Sequence, residues 1–404
     1  MFSLDNFYHT LYVNFFNNTT VKDVSFYPFG STNVDTIHLG LYQNFYHLNK
    51  PFERITIPMV LFYDQEPIQE NVIDKLRIDY GLAVKTDNFS DSNKRMRILA
   101  NSEKSKAKDN ACNYWGMEDW YYFFHGFAAL DWYRDFQYIP KFDNSFNKVF
   151  ICLNRLCTKD RSYRLTLVAR LIEKNLLDKG KISLTLENIG TGTWKEEIQD
   201  PTSKLSATSK NLIVQQLSKL SGSLILDKIL PPGHSSADSG ADIFNLSKSV
   251  LWHVVTETVF YHDKKHLTEK IFRPIVTRRP FILVAAPGNL AYLKSYGFMT
   301  FDKWIDESYD LEQDHDRRLS MIVNEIEKLS KLTYNELVIM HKEMEEILDF
   351  NFNHFFGNFK SIIVDEMVDN LERIFARWNC NRIDGREYDI SKINFSAIKQ
   401  RLKN

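Results

Sequence analysis

Cysteine is scarce in this chain, with four in 404 residues. Cys112, Cys152, Cys157 and Cys380 show none of the spacings that metal ligands adopt. Two of them sit in or beside an apolar run of strand length, so reduced thiols in an intracellular protein are the expected state. Long hydrophobic runs are missing as well. No segment reaches the length of a membrane span, and the opening MFSLDNFYHT lacks the basic and long apolar regions of a signal peptide. A cytoplasmic protein with no membrane span is therefore expected. Net charge is also lacking: 51 Lys and Arg stand against 52 Asp and Glu, a formal −1. That balance argues against a protein that coats nucleic acid or an anionic membrane, although a total can contain a local basic patch. No internal repeat or low-complexity tract is evident.

What is present belongs to a globular chain: 44% hydrophobic and 25% charged residues. A length of 404 residues exceeds one ordinary core and predicts two domains of about 150–200 residues each. Aromatics are plentiful, with 30 Phe and 19 Tyr, which predicts aromatic-rich cores or clefts.

Residues 247–284, SKSVLWHVVTETVFYHDKKHLTEKIFRPIVTRRPFILV, carry the clearest chemistry. Val250–Val255 and Pro280–Val284 read as buried strands, the second opened by a proline where a strand tolerates one. Between them Thr268 reads as a helix N-cap with acidic Glu269 in the first turn. A β-α-β unit of this kind points free helix N–H groups at the carboxyl edge of the sheet, a ready anion site. Lys270 adds a full positive charge there, Arg273 lies one turn away, and Glu257 sits just past the first strand. The pattern predicts a site for a phosphorylated ligand such as a nucleotide diphosphate.

The order strand, Glu, loop, Thr-Glu-Lys, apolar helix and Pro-apolar strand resembles the donor-binding motif of the α1,3-fucosyltransferases. Glu257, Thr268, Glu269, Lys270 and Phe272 stand in matching places, while Thr258 replaces an Asn and His266 a Tyr. The likeness covers roughly residues 240–300, with a weaker echo near 148–171. There KVFICLN reads as a strand, followed by Arg155, Arg161 and Arg164 and the helix LTLVARLIEKNLL. In the family an Arg of this segment contacts the nucleotide diphosphate. Arg164 matches best and Arg161 is the rival, with plain surface charge as the alternative.

The resemblance implies an α/β protein of GT-B architecture, with two Rossmann-like lobes facing across a cleft and a helical C-terminal segment. Residues 1–141 would form the acceptor-side lobe, 148–310 the nucleotide-sugar lobe, and 311–404 a helical region bracing both. It implies inverting transfer of a sugar from a GDP- or UDP-linked donor to a hydroxyl acceptor, with Glu257 and Glu269 holding donor hydroxyls. No metal and no further cofactor are expected. Asp314-His315-Asp316 has the Asp-x-Asp spacing but falls in the helical C-terminal region.

The acceptor hydroxyl needs a base. Residues 55–63 form the strongest strand of the N-terminal half and run into Asp64-Gln65-Glu66-Pro67. Glu66 is the first candidate and Asp64 the second; capping of the following segment QENVIDKLRIDYG is the alternative role. MRILANSE (96–103) reads as another strand ending in polar residues. Residues 113–138 are dense in aromatics and predict a helix from about 118, mostly core. A lesser reading makes Trp120, His125 or Trp132 part of a sugar or base platform. The segment 231–242 reads as a loop over the donor or the acceptor, or as an inert insertion. Two other functions compete: glycosylation of hydroxymethylated bases in DNA, which needs a basic track, and nucleotide binding without catalysis.

Overall fold

Apolar runs become parallel strands in two separate sheets, and the segments between them supply the crossovers. The computed structural model describes residues 4, 7, 10, 11, 23–26, 59–68, 97–115, 117–139, 141, 145–188, 192–226, 240–380 and 393–404. The segment QENVIDKLRIDYG and most of the loop 231–242 lie outside them. The chain divides into two units, Met1–Arg134 with Asn358–Asn404, and Asp135–Gly357. The helices beyond residue 311 are thereby shared between the units.

The first unit holds β1 (Asp23–Phe26), β2 (Met59–Tyr63), β3 (Arg97–Asn101) and β4 (Glu118–Tyr121), all parallel, in the order 1-2-3-4. Phe62, Ala100 and Trp120 lie in register across three strands and are buried. Residues 118–121 form a strand, not the start of the expected helix. Trp120 and Tyr121 are aromatic residues that suit a pleated surface, and pairing with β3 satisfies their backbone. The helix begins later, at Phe124–Trp132, and its first seven residues are all buried. Trp120, Tyr122 and Phe123 are fully buried, so this aromatic stretch is core.

The helix Lys360–Cys380 completes that core. The Trp120 indole N–H donates to the Met367 carbonyl at 3.0 Å, and the Asn370 amide donates to the Tyr121 carbonyl at 2.8 Å. Gly126 lets this segment approach, because a Cβ there would stand 2.8 Å from the Phe359 ring.

The second unit holds β5 (Lys148–Cys152), β6 (Gly180–Ile182), β7 (Val250–Thr256) and β8 (Phe281–Val284), again parallel, in the order 6-5-7-8. All seven residues of β7 are buried, as a strand covered on both faces requires. Helix Tyr163–Glu173 packs against Ala207–Leu217, and His315–Ser330 packs on Tyr163–Glu173, β5 and β8. Because β5 pairs with both β6 and β7, the direction of winding reverses between β5 and β7. In Rossmann-like sheets the crevice beyond the carboxyl ends of such a pair is where ligands bind.

Beneath the sheet, Arg279 donates from Nε to the Ser247 carbonyl at 3.3 Å and stands 3.5 Å from His341 Nε2. Burial, assisted by the Arg279 charge, lowers His253 to about 3 and His341 to about 4 from an ordinary 6.5. Among the described residues no helix is long and apolar enough to cross a membrane.

Candidate functional site

The carboxyl edge of β5 and β7 is organised by a buried acid. Glu257 follows β7 directly and is fully buried. Its backbone N–H continues the sheet by donating to Val284 O at 3.0 Å. Its carboxylate accepts from the Thr268 N–H at 3.2 Å, the Thr268 hydroxyl at 2.6 Å and the Thr258 N–H at 3.3 Å. Burial pushes the Glu257 carboxyl above its ordinary range, while Lys270 and the Thr268 hydrogen bond pull it back.

Thr268 in turn holds Lys270. The ammonium donates to Thr268 Oγ1 at 2.9 Å and Thr258 Oγ1 at 3.4 Å, and Glu269 Oε1 stands 3.6 Å away. The Lys270 side chain keeps 26% of its surface exposed, whereas Glu257, Thr268 and Glu269 are buried. Thr258 is therefore one of the two hydroxyls that seat this cation.

Thr268 is the N-cap, as expected, with its hydroxyl accepting from the Lys270 N–H at 3.4 Å. The helical element it caps is shorter than expected: a 3₁₀ turn, Glu269–Ile271, then an α-helix of five residues, Phe272–Val276. The chain leaves the helix at Thr277 and turns through Arg278 in the left-handed region at φ 48°. So short an element has little macrodipole, and the Lys270 charge supplies most of the positive potential. Arg273 is half-buried on it.

The same edge is stitched from the β5 side by Arg164. Its guanidinium donates to Leu156 O at 2.9 Å, Thr256 O at 2.9 Å and Glu257 O at 3.1 Å, and the residue is 4% exposed. The Tyr163 hydroxyl also donates to Glu257 O at 2.5 Å. Arg164 is thus a tie between two loops, its NH donors committed to backbone carbonyls and its Nε to the Tyr163 hydroxyl at 3.4 Å. Arg161 is half-buried in the 3₁₀ turn Lys159–Arg161 of the same loop. His266 is buried, and its N–H donates to Asn289 Oδ1 at 3.0 Å, which fixes the approach to Thr268.

In the first unit the carboxyl edge gathers acids. Asp64 is buried at the end of β2 and accepts from the Tyr122 hydroxyl, while Glu66 two residues on is half-buried. Glu103 at the end of β3 is also buried, accepting from the Ile68 N–H at 2.8 Å and from the Ser105 hydroxyl. Its anchoring of the Asp64–Ile68 segment escaped the sequence, where the only signal was a strand ending in polar residues. His125 is buried against Phe124 at 5.3 Å.

The geometry brings Glu257, Thr268, Glu269 and Lys270 together at one edge, with Arg164 beneath them, and Asp64 and Glu66 together with Glu103 at the other. Comparison of the chain with family models, with curated proteins and with solved structures finds no match to any of them.

Proposed function

We propose that this protein is a metal-independent, inverting glycosyltransferase of GT-B type that moves a sugar from a nucleotide-diphosphate donor to a hydroxyl acceptor. The observation that carries the reading is Lys270, a partly exposed ammonium seated at the winding reversal of a parallel sheet by a buried Thr268–Glu257 pair. A departing diphosphate gains negative charge in the transition state, and a preorganised cation in that position lowers the barrier. In this scheme Arg161 assists on the phosphates, Arg273 lies further along the same element, and Arg164 keeps the two loops in place. Glu269, in contact with Lys270, is the acid nearest the donor sugar. On the first unit Glu66 removes the acceptor proton, with Asp64 as the alternative base. The likeness of the Thr-Glu-Lys segment to the α1,3-fucosyltransferases supports a GDP- or UDP-linked sugar as donor.

The deciding experiment is a panel of nucleotide-sugars assayed with EDTA present, against glycan acceptors and against hydroxymethylated DNA. Release of nucleoside diphosphate with transfer is the expected result. Saturable nucleotide-sugar binding with no turnover on any acceptor would leave a nucleotide-binding protein instead. Turnover that EDTA abolishes and manganese restores would overturn the metal-independent scheme.

A further inference from the structure

A cavity outside the Lys270 cluster lies in the same unit. Its volume of about 90 Å³ is enclosed by helix Tyr163–Glu173, the starts of helices Ala207–Leu217 and His315–Ser330, and the loop after β7. That is room for several waters, since about 10–15 Å³ of such space holds one. Thr166 lines it, is 1% exposed, and its hydroxyl has no hydrogen-bond partner among the described residues. A helical threonine ordinarily bonds back to the carbonyl four residues earlier. Here the Thr166 hydroxyl makes no such bond and is left unmet. A buried hydroxyl in that condition marks a place where something else bonds.

The other walls decide what that is. Asp314 and Asp316 both line the cavity. Asp314 caps its helix by accepting from the Arg317 N–H at 2.7 Å, and Asp316 accepts from the hydroxyls of Ser206 and Ser209, the latter at 2.5 Å. A carboxylate has about four acceptor positions, so both retain capacity. The lysine that lines the cavity, Lys204, already donates to Asp160 at 2.6 Å and contacts His262. Two carboxylates against one neutralised ammonium repel an anion. Tyr261 adds an aromatic wall whose hydroxyl shares a bond with Ser162 at 2.9 Å. Carboxylates, a hydroxyl and an aromatic wall fit a neutral ligand rich in donors.

We propose that this cavity binds one edge of a sugar ring or similar polyol, with adjacent hydroxyls shared between Thr166, Asp314 and Asp316. The site is separate from Lys270 and stands whether or not that residue binds a diphosphate. The test is saturation-transfer NMR on the full chain with a panel of methyl hexopyranosides, repeated with inorganic phosphate and with ethylammonium. At least one pyranoside is expected to bind to the native protein and equally to Lys270→Ala. Thr166→Val, which removes only the unbonded hydroxyl, should weaken that binding about tenfold, the scale of one hydrogen bond. Thr166→Ser should restore it. Asp314→Asn, which still caps the helix, should weaken it as well. A thermal melt separates loss of binding from loss of fold. The proposal fails if no pyranoside binds, if Thr166→Val binds as the native chain does, or if phosphate or ethylammonium displaces the sugar.

Discussion

The two parallel sheets end in opposite chemistry. In the first unit the strands advance in one direction, 1-2-3-4, and their carboxyl edge collects Asp64, Glu66 and Glu103. In the second the winding reverses beside β5, and the edge presents Lys270. Each edge is held by a buried carboxylate, but the two do different work. Glu103 anchors a backbone segment and leaves an acid, Glu66, half-buried beside it. Glu257 anchors Thr268, whose hydroxyl then holds a cation. Similar strand ends therefore become an acid edge or a cation edge according to what the anchoring carboxylate grips.

That contrast can be broken at its strongest point first. Lys270→Ala removes the charge-assisted contact to a diphosphate, about 2–4 kcal/mol in the transition state. Turnover should fall roughly 30- to 1000-fold with the melting temperature almost unchanged; near-native turnover would put the donor elsewhere. On the acid edge, Glu66→Gln should lower turnover by roughly 100-fold, the general-base scale, with donor affinity kept. If Asp64→Asn is the variant that fails, the buried partner of Tyr122 is the base. If both transfer normally, neither acid is, and His125 is the next to test.

The second unit should also respond to acid, through two buried histidines. His253 and His341 stay neutral in the fold and protonate near 6.5 when unfolded. Between pH 6.5 and about 4 the unfolded chain binds more protons, so stability falls as pH drops through that window. Glu257 works the other way, because its raised carboxyl favours the fold at low pH and loses that advantage as pH rises. Each histidine alone contributes a loss on the order of 2 kcal/mol between pH 7 and pH 5, and Glu257 offsets part of it. Urea titrations at the two values measure it, and His341→Gln should shrink the difference.

The smallest effect sharpens the roles of the two arginines. Arg164→Lys keeps the charge but cannot bridge three carbonyls, and should cost about 1–2 kcal/mol of stability. Arg161→Ala should leave stability alone and weaken donor binding. Calorimetric affinities beside melting curves would expose the reverse pattern, in which Arg164 touches ligand.

Much of this was legible in the chain. The apolar runs at 96–103, 148–154, 250–255 and 280–284 are strands because a sheet covered by helices needs near-continuous hydrophobic residues. Thr268 was legible as a cap because its hydroxyl and position suffice to define one. Glu118–Tyr121 was not, since dense aromatics fit a helix face or a pleat and only pairing with β3 decides. Nor was the setting of Arg164. A sequence displays its charge, while the carbonyls that consume its donors, of Leu156 and of Thr256 and Glu257, belong to stretches far apart in the chain. The inward turn of Glu257 is of the same kind, because its partner Thr268 lies across a loop whose path the residues between do not specify.

The first unit is also discontinuous along the chain, and this orders events during synthesis. Its sheet and the helix Phe124–Trp132 leave the ribosome before the second unit, but Phe359, Ile363 and Met367, which close over them, emerge only after it. At about 5–20 residues per second that interval lasts on the order of ten seconds or more. Asp135–Gly357 is contiguous and can complete its contacts within that time, whereas Trp120, with its indole N–H still lacking the Met367 carbonyl, waits uncovered. The nascent chain therefore carries an exposed aromatic surface of its own making, and holding that surface apart from other chains until residue 358 emerges is a task for chaperones.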